Sequence, residues 1–452
     1  MSRKFFGTDG MRGVAGEFPL DQRSVTALGL AAGEVLGRLG ATALIAADTR
    51  ESGPWLASCL ADGLAAAGVE CHYAGILPTP AVAHLTLAHR FTIGAVISAS
   101  HNPYRDNGIK FFGPTGFKLP DETESSIEEA LLRILEQEVL TGGEASALPV
   151  VEGRYAEEYL LWLLSKWRGP RIEGWKIVLD CANGAAFRLA PALFHKLGAD
   201  VIATACTPNG TNINENCGSL HLGNLSREVR ASGARFGLAF DGDADRCLAV
   251  GPNGEVLDGD YVLYHDALLR KTEGRLPGNW VVGTVMSNLW VEHALGRNKL
   301  RFYRAPVGDR YVLSCLQDRG ALLGGEPSGH VLFLDEVTTG DGLYTGMVIA
   351  AHARRYGDAS ALSSGIVPFP QRMVNLRVSR RCDLAENAAV QEALGKEVAG
   401  LGDDGRIVLR FSGTEPLLRL MAEAKTDGQV NSVLERLSVV LYRELGRAEV
   451  SR

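Results

Sequence analysis

The chain lacks several features that would have narrowed its function at once. Its eight cysteines, Cys59, Cys71, Cys181, Cys206, Cys217, Cys247, Cys315 and Cys382, form no CxxC pair. Scattered thiols of this kind belong to a reducing compartment and argue against both zinc and a disulfide framework. No apolar run approaches the ~20 residues of a membrane span. The opening residues Met1-Ser2-Arg3-Lys4-Phe5-Phe6 carry no apolar stretch of the signal-peptide kind. There is no Lys/Arg block, and a net charge of −7 argues against a nucleic-acid partner. The expectation is a soluble cytoplasmic protein that works on neither membrane nor nucleic acid. At 452 residues the chain has room for three domains or four, each with a sizeable core.

One supersecondary pattern recurs. Ala43–Ala47 is a short apolar run ending at Asp48-Thr49-Arg50; a helical stretch follows through Leu64, and Gly68–Cys71 opens another strand. Lys176–Leu179 ends at Asp180; a helix runs to Lys196, and Gly198–Val201 restarts a strand. Trp280–Gly283 leads through Met286-Ser287-Asn288 into a helical segment reaching Leu295. Strand, polar turn, helix, strand is the signature of a βαβ unit. Three widely spaced copies predict three related α/β domains. Ser126 with Glu129 three residues later is a capping-box signal, predicting a helix from there past Leu131, Leu135 and Val139 to Thr141-Gly142-Gly143. Tyr155 to Trp167 is amphipathic and leads into the next domain. Asn253-Gly254 between apolar runs predicts a hairpin. Pro368 and Pro370 mark a joint, after which alternating runs such as Val374–Val378 predict a smaller strand-containing unit.

The most telling segment is Phe240-Asp241-Gly242-Asp243-Ala244-Asp245-Arg246, with three carboxylates in five residues. Alternate side chains of an extended strand lie about 7 Å apart, whereas one small ion needs its oxygens within about 2.0–2.6 Å. The backbone must curl here, and Gly242 and Ala244 leave room for it. A calcium EF-hand does not fit, because Arg246 and Pro252 stand where that loop needs glycine and a bidentate glutamate. Magnesium suits the loop better. A solvated acidic turn and an aspartate-nucleophile loop are the rival readings.

Three further segments carry chemistry. Ser98-Ala99-Ser100-His101-Asn102-Pro103 follows the apolar strand Ile93–Ile97, where reacting groups of open α/β sheets tend to lie. Local sequence does not choose between Ser98 and Ser100. Lys110, just downstream, is either an ammonium at the same rim or a surface lysine. Glu326-Pro327-Ser328-Gly329-His330 follows two glycines; a carboxylate and a hydroxyl two residues apart can hold vicinal hydroxyls of a sugar, and His330 suits proton transfer. A glycine-rich turn with a satisfied histidine explains the same letters. Arg410-Phe411-Ser412-Gly413-Thr414-Glu415-Pro416, with Arg419, combines a backbone anion nest with guanidiniums that pair with phosphate. It lacks P-loop spacing, so a nucleotide is not implied. Arg12, in Gly7–Gly13, is either another phosphate contact or part of a flexible start. A cation site beside a hydroxyl nucleophile suggests phosphoryl transfer.

Taken in order, FGTDGMRG (6–13), DTRESG (48–53), SASHNPYRDNGIKFF (98–112), NINENCGSLH (212–221), DGDADR (241–246), RAPVGDRY (304–311), GGEPSGH (324–330), TTGDG (338–342) and RFSGTEP (410–416) resemble the α-D-phosphohexomutase superfamily, and within it the bacterial amino-sugar branch. The resemblance spans nearly the whole chain. It implies an α/β protein of three related βαβ-containing domains and a smaller C-terminal α+β domain around a central cleft, with borders near 1–150, 151–252, 253–368 and 369–452. It implies that Ser100 carries a phosphoryl group and that Asp241, Asp243 and Asp245 hold one Mg²⁺ together with an oxygen on Ser100. Glu326 and Ser328 would contact sugar hydroxyls. Arg410, Ser412, Gly413, Thr414 and Arg419 would bind the non-reacting phosphate. Arg12, Arg246, Lys110 and His330 would line the reacting end, with Lys110 or His330 as general base. The implied reaction interconverts glucosamine 6-phosphate and glucosamine 1-phosphate through a 1,6-bisphosphate, for amino-sugar nucleotide and cell-wall precursor synthesis, with glucose or glucosamine 1,6-bisphosphate as activator. Mannose or glucose phosphates are the neighbouring substrates; an aspartyl phosphatase and a non-catalytic phosphosugar-binding protein are the more distant readings. Oligomeric state stays open, a homodimer included.

Overall fold

The computed structural model describes residues 5–7, 9–137, 150–411 and 417–448. They form two compact units, Met1–Thr284 with Ala305–Ser364, and Val285–Arg304 with Gly365–Arg452.

Among the described residues, the larger unit contains three sheets. The first has six strands in the order Phe6–Gly7, Gly10–Val14, Asp106–Phe112, Ile93–Ile97, Thr42–Ala47, Glu70–Ile76. Thr42–Ala47 runs parallel to both of its neighbours, while Asp106–Phe112 is antiparallel to Ile93–Ile97 and to Gly10–Val14. All five residues of Ile93–Ile97 are buried, as expected of a strand covered on both faces. The second sheet places Lys176–Asp180 parallel to Asp200–Thr204 and Phe236–Phe240, with Cys247–Val250 and Val256–Leu257 added antiparallel. The Asn253-Gly254 hairpin is present. In the third, Trp280–Thr284 pairs parallel with Leu323–Gly325, which pairs antiparallel with Val331–Phe333.

The helix expected from Ser126 is corrected at both ends, since Gln137 is already extended. It runs Asp121–Glu136, with Pro120 at the N-cap in extended geometry. Asp121, Glu122 and Glu124 fill its first turn, where acidic groups meet the positive end of the helix dipole. Ser126 lies inside and donates to the Glu122 carbonyl at 3.0 Å. Val139 and Thr141-Gly142-Gly143, where the helix was expected to end, lie outside the described residues.

The smaller unit is an antiparallel sheet, Gln371–Arg377, Leu417–Glu423, Arg406–Phe411, with helices Ala388–Leu401 and Asp427–Leu445. Leu418, Leu420 and Ala422 alternate along the central strand and are buried with Val430, Val433, Leu437 and Leu441 of the last helix. A period of two meets one of three to four. The helix after Asn288, Leu289–Arg297, belongs to this unit. Glu423 accounts for that: it accepts the Leu289 N–H at 2.7 Å and pairs with Arg406, whose guanidinium also donates to the Val285 and Ser287 carbonyls.

Candidate active site

Ser98 and Ser100 leave the same strand end with different tasks. Ser98 Oγ donates to the buried Asp48 carboxylate and accepts the Ser100 N–H at 2.9 Å, so it props the loop. Ser100 Oγ donates to Asp241 Oδ2 at 2.5 Å. Ser100 has φ of 52°, a left-handed backbone that costs a non-glycine residue energy. Two side chains hold it there. Arg50, only 1% exposed, donates Nε to Asp48 Oδ2 at 2.9 Å. Its other nitrogens reach the Ser100, Asn102 and Pro103 carbonyls. Asn214 Nδ2 donates to the Ser100 and Asn102 carbonyls at 2.9 and 3.0 Å.

The acidic loop joins antiparallel strands Phe236–Phe240 and Cys247–Val250, and it curls as its sequence requires. Asp241, Asp243 and Asp245 are buried, with ligand oxygens within 4.8 Å of one another. Gly242 is needed for the approach to the serine: a Cβ there would sit 2.4 Å from the Ser100 carbonyl oxygen. Asp243 Oδ1 and Asp245 Oδ1 are buried with no hydrogen-bond partner among the described residues. Burial, then the charges of Asp245 and Asp243, push the Asp241 carboxyl well above its usual range. Burial would raise Asp245 as well, but His330, Lys110 and Arg246 outweigh it and hold Asp245 low. All-oxygen donors with orphaned buried atoms fit a hard divalent cation such as magnesium.

Lys110 is no surface lysine. It is 1% exposed, and its Nζ lies 2.9 Å from Asp243 Oδ2, 2.9 Å from Asp9 Oδ2 and 3.9 Å from Asp245 Oδ2. Burial opposes its charge, yet Asp243, Asp9 and Asp245 raise its pKa above the usual lysine range. Thr79 Oγ1 donates to the same Asp243 oxygen at 2.7 Å. Arg246 Nη1 lies 3.2 Å from His101 Nδ1, which is 3.3 Å from Ser100 Oγ. Burial, with Arg246 and Arg12, pushes the His101 pKa down to about 4, so that ring is neutral near pH 7. Arg12 pairs with Asp9.

His330 is buried, with Nδ1 3.5 Å from Asp245 Oδ2 and Nε2 3.8 Å from Asp309 Oδ2. Burial works against its charge, but these carboxylates raise its pKa. Glu326 begins the turn to His330: it accepts the Gly308 N–H at 2.9 Å through Oε1, and Ser328 Oγ donates to its Oε2 at 3.4 Å. The Cys247 N–H donates to the Gly329 carbonyl at 3.1 Å, tying this turn to the acidic hairpin.

The larger unit therefore gathers Ser100, the three aspartates, Lys110, Arg246, Arg12, Glu326, Ser328 and His330 through a continuous set of contacts. Arg410 and Arg419 belong to the smaller unit, where they face each other in register. Burial and the Arg419 charge lower the Arg410 pKa. Two guanidiniums across one ladder favour an anion between them. Ser412, Gly413 and Thr414 lie outside the described residues. Sequence reasoning assigned no role to Arg50, Thr79, Asp9, His101 or Asn214. All but Thr79 fall inside quoted motifs, which was the available signal.

Comparison with known proteins agrees along the whole chain. Phosphoglucomutase/phosphomannomutase alpha/beta/alpha domains I, II and III match residues 3–138, 157–254 and 258–368, and the C-terminal domain of the same family matches 373–438. The phosphoglucosamine mutase of Solibacter usitatus is 46% identical over 99% of this chain and 100% of its own. That of Ralstonia pickettii is 46% identical over 98% and 100%. A Burkholderia thailandensis phosphoglucomutase/phosphomannomutase family protein superposes with a TM-score of 0.81 at 26% identity, covering 98% of each chain. An Aspergillus fumigatus N-acetylphosphoglucosamine mutase, solved with GlcNAc-6P and magnesium, shares the fold at a TM-score of 0.65 and 18% identity, over 98% of this chain and 96% of that one. With three mixed-sheet α/β domains, a small antiparallel C-terminal domain and family matches over most of its length, this chain belongs to the phosphoglucomutase/phosphomannomutase family, within the phosphohexomutase superfamily.

Proposed function

We propose that this protein is a phosphoglucosamine mutase, interconverting glucosamine 6-phosphate and glucosamine 1-phosphate through a phosphoserine at Ser100 and a 1,6-bisphosphate intermediate. On this reading the family domains span about 1–150, 151–252, 253–368 and 369–452, as the resemblance implies. The observation that carries the reading is the Ser100 Oγ to Asp241 Oδ2 contact at 2.5 Å, a nucleophile on the rim of an acidic cluster. Full-length relatives of that name at 46% identity support the choice among sugars.

A phosphoserine brings about −2 at neutral pH into a loop that already holds three carboxylates. Asp241, Asp243 and Asp245 would hold Mg²⁺, one per subunit, with a phosphate oxygen on Ser100. Magnesium, when bound, supplies Lewis-acid polarisation of the phosphoryl group and stabilises the departing serine oxygen. Lys110, Arg246 and Arg12 offset the remaining negative charge. A hydroxyl of the bound sugar monophosphate attacks phosphorus, the P–Oγ bond of Ser100 breaks, and the hydroxyl proton passes to a base. Lys110 and His330 are the candidates expected for that base; the carboxylates that hold Lys110 as an ammonium leave His330 as the group to take the proton. Glu326 and Ser328 hold ring hydroxyls in either orientation. Arg410, Ser412, Gly413, Thr414 and Arg419 take the phosphate that is not reacting. The bisphosphate then turns over and returns its other phosphate to Ser100. Glucose or glucosamine 1,6-bisphosphate primes an unphosphorylated enzyme. The protein works in the cytoplasm, as a monomer or homodimer, in amino-sugar nucleotide synthesis.

The test is direct. Wild-type enzyme with Mg²⁺ and glucosamine 6-phosphate should form glucosamine 1-phosphate faster than it converts mannose or glucose phosphates, and Ser100→Ala should abolish turnover. An aspartyl phosphatase would survive that substitution, and a non-catalytic binder would exchange no labelled phosphate.

A further inference from the structure

Lys118 lies outside every motif quoted above and has no part in the reaction as written. The strand that carries Lys110 ends at Phe112, and the chain turns through 113–117, where the Gly113 N–H donates to the Phe117 carbonyl at 2.9 Å. It returns so that Lys118 bridges Phe112 antiparallel and the Leu119 N–H donates to the Phe111 carbonyl at 3.3 Å. This brings Lys118 beside the end of the Lys110 strand. Both ammonium groups then converge on one carboxylate: Lys110 Nζ is 2.9 Å from Asp9 Oδ2, and Lys118 Nζ is 2.5 Å from Asp9 Oδ1.

Lys118 does not stop there. Its Nζ also donates to Asp309 Oδ2, on the first residue of helix Asp309–Arg319. Asp309 faces His330 Nε2 at 3.8 Å, and the preceding Gly308 donates its N–H to Glu326 Oε1 at 2.9 Å. Arg310 adds a second tie, donating to Glu124 Oε2 at 2.8 Å and to Asp121. Charges of alternating sign thus run Asp243, Lys110, Asp9, Lys118, Asp309, from the acidic hairpin to the wall of the 326–330 loop. Lys118 is the cation that joins Asp9 to Asp309 in this series, and its side chain is only 14% exposed. Removing it leaves Asp9 and Asp309 without the cation between them. A buried ion pair adds little net stability over well-packed apolar groups, and fixing register is its best-attested use.

We propose that Lys118 is a positioning residue for phosphoryl transfer: by bridging Asp9 and Asp309 it holds the Ser100–aspartate half of the site in register with the Glu326–Ser328–His330 turn. The inference rests on the mutase reading, in which that turn contacts the sugar. The test uses the full-length enzyme with Mg²⁺ and a 1,6-bisphosphate primer, and compares Lys118→Met, Lys118→Arg, Asp309→Asn and the double variant Lys118→Met/Asp309→Asn. A misplaced turn should lower kcat about 10- to 100-fold in Lys118→Met. KM for glucosamine 6-phosphate should stay within about threefold, because the non-reacting phosphate keeps its own contacts. Lys118→Arg, which keeps the bridging charge, should recover most of kcat. The double variant should lose no more than Lys118→Met alone, since both changes break one bridge.

A folded Lys118→Met with wild-type kcat overturns the proposal. So do an arginine variant no better than methionine, and losses that multiply in the double variant. If Lys118→Met does not fold, Asp309→Asn decides: a fall in kcat at constant KM upholds the bridge, and wild-type kinetics overturn it. A wild-type enzyme that fails to interconvert the sugar phosphates removes the mutase reading itself. Wild-type activity with unaltered variants removes this inference alone.

Discussion

Ser100 Oγ and Asp241 Oδ2 lie 2.5 Å apart although 141 residues separate them in the chain. Neither side could close that distance alone. The serine loop is forced into a left-handed turn, and the acidic loop carries glycine where the two backbones meet. The charges and backbone that keep this contact in place give the following expectations.

Arg50 holds three carbonyls of the serine loop and neutralises Asp48. Arg50→Met leaves a buried carboxylate unpaired, at a cost of about 3–5 kcal/mol in folding stability. Loss of the loop's geometry should lower kcat at least ~100-fold in molecules that remain folded. Denaturant unfolding and turnover, measured on the same preparation, check both.

Gly340 is set against the His330 ring. A Cβ at that position would lie 2.3 to 2.6 Å from three ring atoms. Gly340→Ala should therefore displace the imidazole, costing about 1–3 kcal/mol of stability. Turnover should fall at least ~10-fold. A Gly340→Ala enzyme with unchanged kcat would separate His330 from the reaction.

Removing divalent metal should destabilise the protein. The Asp241 carboxyl is pushed up by burial and by its acidic neighbours, and two oxygens of the cluster lack partners among the described residues. Adding Mg²⁺ at a hundred times its Kd should raise stability by about 2.7 kcal/mol, seen as a higher Tm after chelation is reversed. Asp243→Asn and Asp245→Asn should each lose most of that increment.

Acid should weaken the fold through His265, remote from these groups. Its Nε2 faces the Leu362 carbonyl at 2.7 Å, and burial, together with His352, pushes its pKa down to about 4 despite that bond. A histidine whose pKa is lower folded than unfolded binds its proton first in the unfolded chain. Its contribution is intact above about pH 6.5 and is lost as pH falls toward 4. Tm should decline over that window, and His265→Phe should flatten the decline. An equal slope in both proteins would contradict the assignment.

Much of this architecture was legible in the letters, for physical reasons. Three carboxylates in five residues can share one ion only if the backbone curls, so the acidic turn was legible. The βαβ pattern followed from strand ends such as Asp48 and Asp180. The choice between Ser98 and Ser100 was not legible in the local letters and came only with the family resemblance, because locally it depends on Asp48, 50 residues away. A buried and a surface lysine read alike, so Lys110 declared itself only once Asp9 and Asp243 were seen beside it. The capping box at Ser126 misled, because Pro120 and three acidic residues start the helix a turn and more earlier. Arg50 and Asn214 act on backbone carbonyls, and such contacts leave no local pattern.

The most direct measurement is the intact mass of the enzyme after incubation with glucosamine 1,6-bisphosphate. The account predicts one adduct of about 80 Da on the peptide containing Ser100; when that adduct carries isotopic phosphate, unlabelled glucosamine 6-phosphate should move the label into sugar phosphate while the adduct itself persists, because each turnover returns a phosphate to Ser100. Enzyme that turns over while never carrying that adduct, or carries it on an aspartate, would contradict it.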